Sequence, residues 1–370
     1  MKYFLREIQK ILLQKFFLPF VYNIYKKNEV IDNLVVFADS KHDNIPYSLK
    51  AMYRVISQEN YIISEQCHDF GKLSVLEKIN ACIDFMKVYA VAKYVFICDY
   101  YTPASSCNKR EETKLIQLWH SSGLQKKFGF DSVDDLGNMI WFSPVKNYDL
   151  VSVSSEIVRD IFIKAWRLDG KIVKALGTSR TDILFDTKIM ESQRERFFGL
   201  YPKAIGKKIV MWAPTFRGNG SFGTNDIPEE MLSLQNSLGD EYYYIIKLHP
   251  NVASKYNLDN CIFATEELFS VVDILITDYS SIMYDFLLLG KQIVLYVPDY
   301  DEYLRQRGMY IDYRKEFKFP IIDRFGIIDQ TIKELKLVSK DTLKEYKKKF
   351  INSNNGNSSK QIMRFVKKLN

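Results

Sequence analysis

The chain has 370 residues, 47% of them hydrophobic, enough for two domains with full-sized cores. Its net charge of +7 is concentrated at the two ends, where a basic surface meets nucleic acid, meets an anionic membrane or is simply solvated. Five cysteines without CxxC spacing exclude a disulfide framework and read as reduced thiols of a cytosolic protein; four scattered histidines give no metal motif.

Residues 1–27 carry a helical pattern, with Leu5, Ile8, Leu12 and Phe16 on one face and Lys2, Arg6 and Lys10 on the other. The longest uncharged run, Phe16 to Tyr25, is too short to span a bilayer and contains Pro19. No cleavage-site pattern follows, so a signal peptide is not expected. Two readings stand: a basic amphipathic helix lying in a membrane interface, or a helix docked on the domain behind it.

From Leu34 short apolar runs alternate with helical segments. Strands are expected at Leu34–Ala38, Tyr61–Ile63, Tyr94–Cys98, Lys114–Trp119 and Leu150–Val153. Helices are expected at Pro46–Ser57, Leu73–Tyr89 and Ile157–Ala165. That alternation predicts an α/β domain with a parallel sheet over residues 31–195. After a link near residues 185–207 a second series begins. It has strands at Lys208–Trp212, Tyr242–Leu248 and Cys261–Phe263 and a helix at Pro228–Leu238. The clearest unit follows: strand Ile274–Ile276, polar cluster Thr277-Asp278-Tyr279-Ser280-Ser281, helix Ile282–Leu289 ended by Gly290, and strand Ile293–Val297. A donor domain is drawn over 205–345. A loose polar stretch, Asn352–Lys360, and a basic helix, Gln361–Leu369, complete a tail over 346–370.

The polar residues with chemical promise fall just after strands: His120, Ser154, Thr215, His249 and Asp278. That is the ligand-binding edge of open α/β sheets. Thr277, Ser280 and Ser281 surround a helix start, whose unpaired N–H groups and roughly +0.5 charge attract phosphate. Ordinary N-capping accounts for the same residues equally well. An imidazole near neutral pH is the default general base, although a lone His is usually structural; His120 and His249 hold matching places in two similar halves. Pro250 stops the strand before His249 and fixes that residue at its tip. Arg217 and Arg180 suit bidentate phosphate binding, with Asp182 a candidate partner for Arg180. No GxGxxG follows the first strand and no P-loop GxxxxGK(S/T) occurs, which argues against dinucleotide enzymes and P-loop NTPases, and the lack of zinc-finger or RRM motifs argues against nucleic-acid binding.

The segments LWHSSGLQKKFG, GTSRTDILF, WAPTFRG, KLHP, LITDYSSIMYDF and VPDYDEYLRQRGMYIDY together resemble, in order and spacing, the CDP-glycerol glycerophosphotransferase family of teichoic-acid primases and polymerases. Coverage runs from about residue 90 to the end; the first ninety residues match poorly. Ser179 stands where the family has Pro, and Ser121 where it often has Gly or a small apolar residue. The resemblance implies a GT-B fold, two Rossmann-like domains facing across a cleft, with the nucleotide held by the second and no metal or cofactor. It implies His120 as the base that activates the acceptor hydroxyl, oriented by Asp99, and His249 at the transferred or leaving phosphate. Thr277, Ser280 and Ser281 then form the pyrophosphate cradle and Asp285 contacts the ribose. Arg217 and Arg307 are further charge partners, and Thr215, Asp278, Arg180 and Pro250 line the same substrate site. The implied partners are CDP-glycerol or CDP-ribitol, a lipid-linked acceptor and an anionic membrane surface, with no nucleic acid. The implied place is the cytoplasmic face of the membrane. A nucleotide-sugar transferase of the same fold and a non-enzymatic membrane-surface protein are the competing readings.

Overall fold

In the computed structural model, residues 9–124, 126–137, 142–215, 227–248, 261–324 and 326–369 are described. The central apolar runs become strands buried on both faces, the environment of a parallel sheet, while the edge run from Ile62 is for the most part exposed or half-buried. Two parallel sheets result, and the chain divides into two compact units built around them. The first unit comprises Met1–Ser121, Gly137–Asp182 and Ser353–Asn370; the second comprises Ser122–Leu136 and Ile183–Asn352. Neither is contiguous, whereas the sequence reading drew each domain as one stretch.

The first unit holds β1 (Ile31–Asp39), β2 (Ile62–Cys67), β3 (Ala92–Ile97), β4 (Lys114–Gln117), β5 (Leu150–Ser152) and β6 (Val173–Lys174), in the order β2-β1-β3-β4-β5-β6. Val35 and Phe37 of β1 pack with Tyr94 and Phe96 of β3 and with Leu49, Met52 and Ile56, the apolar stripe of the Tyr47–Ser57 helix. Ile362, Met363 and Val366 of the Ser358–Val366 helix complete this core. The stretch before that helix is not the loose tail expected from its composition. Asn354, Ser358 and Ser359 are buried, and the Asp182 carboxylate accepts from Ser358 N (2.9 Å), Ser359 N (2.7 Å) and Ser359 Oγ (2.7 Å). Asp182 is therefore spent on capping this helix and does not partner Arg180.

At the other end of the chain the Leu18–Tyr25 helix, with Pro19 in its first turn, buries Leu18, Val21 and Tyr22. The Tyr22 hydroxyl accepts from Arg110 N at 2.9 Å, and its ring lies 5.4 Å from Tyr89. The helix is thus docked through one face. The exposed side of this helix and of the helical residues 9–17 that lead into it leaves Phe16 and Phe20 each 64% exposed, Leu12 53% and Ile24 49%. Leu5 and Ile8 lie outside the described residues.

The second unit holds β7 (Lys208–Ala213), β8 (Tyr242–Ile246), β9 (Ile274–Thr277), β10 (Gln292–Tyr296) and β11 (Ile321–Ile322), in the order β11-β10-β9-β7-β8. Side chains alternate across this sheet as the two-residue strand period requires. Ile209, Met211, Leu275, Ile293 and Leu295 enter one core, and Val210, Trp212, Ile274, Ile276, Val294 and Tyr296 enter the other. The segment expected as a strand at Cys261–Phe263 is not one. Phe263 instead packs its ring 5.7 Å from Phe197 of the Thr187–Leu200 helix, an element lying where only a link was expected. The five cysteines are free and buried, and burial pushes the Cys67, Cys82 and Cys107 thiols up to about 12.

Candidate active site

His120 follows β4 at the carboxyl edge of the first sheet, directly after a strained residue. Trp119 has φ +54°, in the left-handed region that costs a non-glycine residue about 1–2 kcal/mol. Two sets of contacts hold it there. Its N–H donates to Gln117 Oε1 at 2.9 Å, and the Gln117 amide donates in turn to Asp99 O and Tyr148 Oη, both at 3.0 Å. Its indole packs edge-on to Trp166 at 4.8 Å and to Tyr100 at 5.3 Å. The aromatic cluster fixes Trp119, and the reversed backbone then leaves the following imidazole 45% exposed.

His120 Nδ1 lies 3.1 Å from the Cys98 carbonyl and 3.7 Å from Asp99 Oδ2. A carbonyl only accepts, so the proton sits on Nδ1 and the lone pair on Nε2. The protein packed around the ring lowers its basicity below the ordinary histidine value; the Asp99 carboxylate opposes this, and Lys41 and Arg180 add to the lowering. Arg180 is buried. Its guanidinium donates to the His120 carbonyl and, at 3.4 Å, to Ser48 Oγ, and it lies 5.4 Å over the Tyr47 ring. The structure thus gathers His120, Asp99 and Arg180 in the first unit.

At the corresponding edge of the second sheet, Asp278 Oδ1 accepts from Thr215 N at 2.8 Å, joining the tips of β7 and β9. Ser281 is the N-cap of the Ile282–Leu288 helix but makes no side-chain capping bond, so capping does not occupy its hydroxyl. Ser280, beside it, is half-buried, as are Thr215 and Arg307. Thr277 departs from its expected role. It is fully buried and its hydroxyl donates to Ala213 O at 2.8 Å, so it ties β9 to β7 instead of facing a phosphate. Asp285 is buried on the helix that follows. Arg307 ends the Tyr300–Gln306 helix, which is anchored by Tyr303 stacked on Tyr279 at 3.7 Å. His249, Pro250 and Arg217 lie outside the described residues. Among the described residues no group of three or more His, Cys, Asp or Glu side chains is arranged to hold a metal ion.

The segment after His120 belongs to the second unit, and its glycine has a steric cause. Gly123 has φ +65°, and a Cβ there would stand 2.3 Å from the Tyr284 ring, whose hydroxyl donates to Leu124 O. Lys126 bridges to Met309, and Lys127 N donates to Gly308 O at 3.0 Å. Sequence reasoning missed two residues of the His120 setting, Lys41 and Gln117. Lys41 follows the tip of β1, and its ammonium pairs with Asp99. Its place just after a strand was the available signal.

The sequence matches the CDP-Glycerol:Poly(glycerophosphate) glycerophosphotransferase family over residues 20–368. It is 30% identical to a teichoic acid poly(ribitol-phosphate) polymerase of Bacillus spizizenii over 86% of this chain, and spans 53%, about half, of that relative. A teichoic acid ribitol-phosphate primase from the same organism is 27% identical, over 90% of each chain. The solved wall teichoic acid polymerase TagF superposes with a TM-score of 0.76 at 21% identity, covering 98% of this chain and 96% of that one, and shares the GT-B-type α/β fold with paired parallel sheets. With the family match running through both units, the chain belongs to the CDP-glycerol:poly(glycerophosphate) glycerophosphotransferase family.

Proposed function

We propose that this protein transfers a polyol phosphate, glycerol phosphate in the first instance, from a CDP-activated donor to a hydroxyl of a membrane-associated, teichoic-acid-like or capsule acceptor. The observation that carries this reading is the 3.1 Å approach of His120 Nδ1 to Cys98 O: a carbonyl only accepts, which assigns the proton to Nδ1 and leaves Nε2 to accept a proton. The acceptor hydroxyl gives its proton to Nε2, and its oxygen attacks the phosphorus that bears the polyol. The bond from that phosphorus to the bridging oxygen breaks, and CMP leaves with the electron pair. Preorganised donors stabilise the charge on the phosphates. We assign that role to Ser280 and Ser281 at their helix start, with His249, Pro250, Arg217 and Arg307, and assign Asp278 and Thr215 to shaping the loop that carries it. Asp285 remains the candidate for the ribose. The Cys98 carbonyl holds the ring of the base, Asp99 lies beside it as its nearest anion in place of the orienting bond expected, and Arg180 fixes its backbone.

The acceptor reading extends to location. Leu12, Phe16, Phe20 and Ile24 recur every fourth residue on the exposed face of the amino-terminal helical segment, with Lys10, Lys15, Lys26 and Lys27 alongside. An exposed apolar stripe flanked by lysines fits an anionic lipid interface. We place the protein at the cytoplasmic face of the membrane, bound peripherally; among the described residues no helix is long and apolar enough to cross one.

Release of CMP from CDP-glycerol or CDP-ribitol, and of UDP from a panel of UDP-sugars, with a lipid-linked acceptor present, tests the reading. Turnover of a CDP-polyol that falls on the order of 10²- to 10⁴-fold in His120→Ala is the expected result. Turnover of a UDP-sugar alone would transfer the protein to the sugar transferases. Unchanged turnover in His120→Ala would remove the base.

A further inference from the structure

We propose that Lys41 is a positioning residue for the reaction: its ammonium engages the Asp99 carboxylate, so that the neighbouring imidazole of His120 is left neutral and able to accept a proton. This rests on the reading of His120 as the base.

The geometry begins with Asp39, the last residue of β1 and only 2% exposed. Its Oδ2 accepts from Lys41 N and from His42 Nδ1, each at 2.8 Å, and Cys98 Sγ lies 3.8 Å from its Oδ1. A carboxylate held on three sides fixes the turn after the strand, and that turn directs Lys41 to Asp99. There the ammonium pairs with Oδ2, while Oδ1 accepts from Tyr100 N at 2.7 Å. Both carboxylate oxygens of Asp99 are thus engaged. At 3.7 Å its Oδ2 is too far from His120 Nδ1 for a hydrogen bond. The Nδ1 proton goes instead to the neutral Cys98 carbonyl.

A carboxylate bonded to an imidazole favours the imidazolium. Here that charge is matched by the ammonium, and two cations, Lys41 from the β1 turn and Arg180 from the segment after β6, act on the ring against the single anion Asp99. Trp119, 4.2 Å from the imidazole, adds bulk without charge. Burial is the main cause of the lowered basicity of His120; Asp99 opposes it, and Lys41 and Arg180 offset part of that opposition, while Asp99 in turn raises the affinity of Lys41 for its proton. Lys41 lies in the first ninety residues, outside the motifs that carry the family resemblance, so nothing in those motifs marks it.

The test follows His120 directly in the full chain with isotope-labelled histidine. Its ring signals are assigned by their loss in His120→Gln, since the chain has four histidines. Lys41→Met is expected to raise the His120 titration midpoint by about one pH unit, and Lys41→Arg, which keeps the charge, to leave it in place. The acidic limb of kcat/KM for CMP release should move with the midpoint. Lys41→Gln supplies the same readout if the Met variant does not fold. A midpoint that stays put in the neutral variants, even with activity lost at every pH, would overturn the proposal. If the midpoint moves but His120→Ala retains turnover, the electrostatic link stands and the assignment of His120 as base is what fails.

Discussion

Replacing Gly123 by Ala tests whether the segment after His120 is held to the second unit by a steric fit. Two costs arise separately. The backbone at φ +65° charges an L-residue about 1–2 kcal/mol. The new Cβ would lie 2.3 Å from a Tyr284 ring that is fully buried, against the usual carbon separation of about 3.5–4.0 Å. Relieving such an overlap in a packed core costs about 1–3 kcal/mol. The sum, about 2–5 kcal/mol, corresponds to a fall in melting temperature of roughly 4–20 °C for a unit of this size. Thermal and urea unfolding of Gly123→Ala, Tyr284→Leu and the double variant separate the two parts. Tyr284→Leu removes the ring and the bond to Leu124 O, so it destabilises by itself. In the double variant the overlap is gone, and the loss should fall short of the sum by about 1–3 kcal/mol. Additivity within about 0.5 kcal/mol would show that Gly123 and Tyr284 do not constrain each other, and would refute the reasoning.

Asp182→Ala removes a carboxylate that accepts three hydrogen bonds at the start of the Ser358–Val366 helix. It should cost about 1–2 kcal/mol, read as a lower urea midpoint and earlier proteolysis at the carboxyl end, and an unaltered midpoint would dismiss the cap. Phe16→Ser with Phe20→Ser should weaken co-sedimentation with anionic vesicles without changing the melting temperature, because both rings are exposed. Wild-type protein that stays in the supernatant at low salt would remove the membrane reading.

Elements buried on both faces were legible in the sequence, because an apolar run bounded by polar residues has few other uses. The strands around Val35, Val95, Val210 and Leu275 are of this kind. The Thr187–Leu200 helix was not legible. It fully buries only Phe197, with Met190 and Phe198 partly buried beside the core, and the charged residues between them leave only a broken apolar stripe to announce it. Cys261–Phe263 erred the other way: Phe263 is apolar in order to fill space beside Phe197, not to pair in a sheet. Thr277 shows the limit for site residues. A hydroxyl after a strand reads as a ligand donor, but the strand register places it against the Ala213 carbonyl. Composition placed the lysines of the last thirty residues on an open basic tail. Lys347 donates to Leu288 O, Lys349 pairs with Glu316 and Lys367 with Glu59, so part of that charge is used within the fold. Lys41 and Asp99 are far apart in sequence, and no local pattern joins them.

The charge balance at His120 has a consequence for the kind of proton transfer this site supports. A base whose protonated form is stabilised by a bonded carboxylate takes a proton readily but is already occupied at low pH. The imidazole here has the opposite bias: its Nδ1–H rests on a neutral carbonyl, and the nearest anion is paired with an ammonium. It stays available down to lower pH, while the imidazolium it forms is less favoured. Such a base works best when the hydroxyl proton moves late, after the oxygen has begun to bond to phosphorus and become more acidic. A loose phosphoryl transition state, in which the attacking oxygen carries little new bond, leaves that proton in place until late in the step. The arrangement therefore favours a base that positions the hydroxyl first and takes its proton afterwards. Strengthening the base, as Lys41→Met should do, would then narrow the pH range of activity on the acidic side and accelerate the step at high pH only slightly.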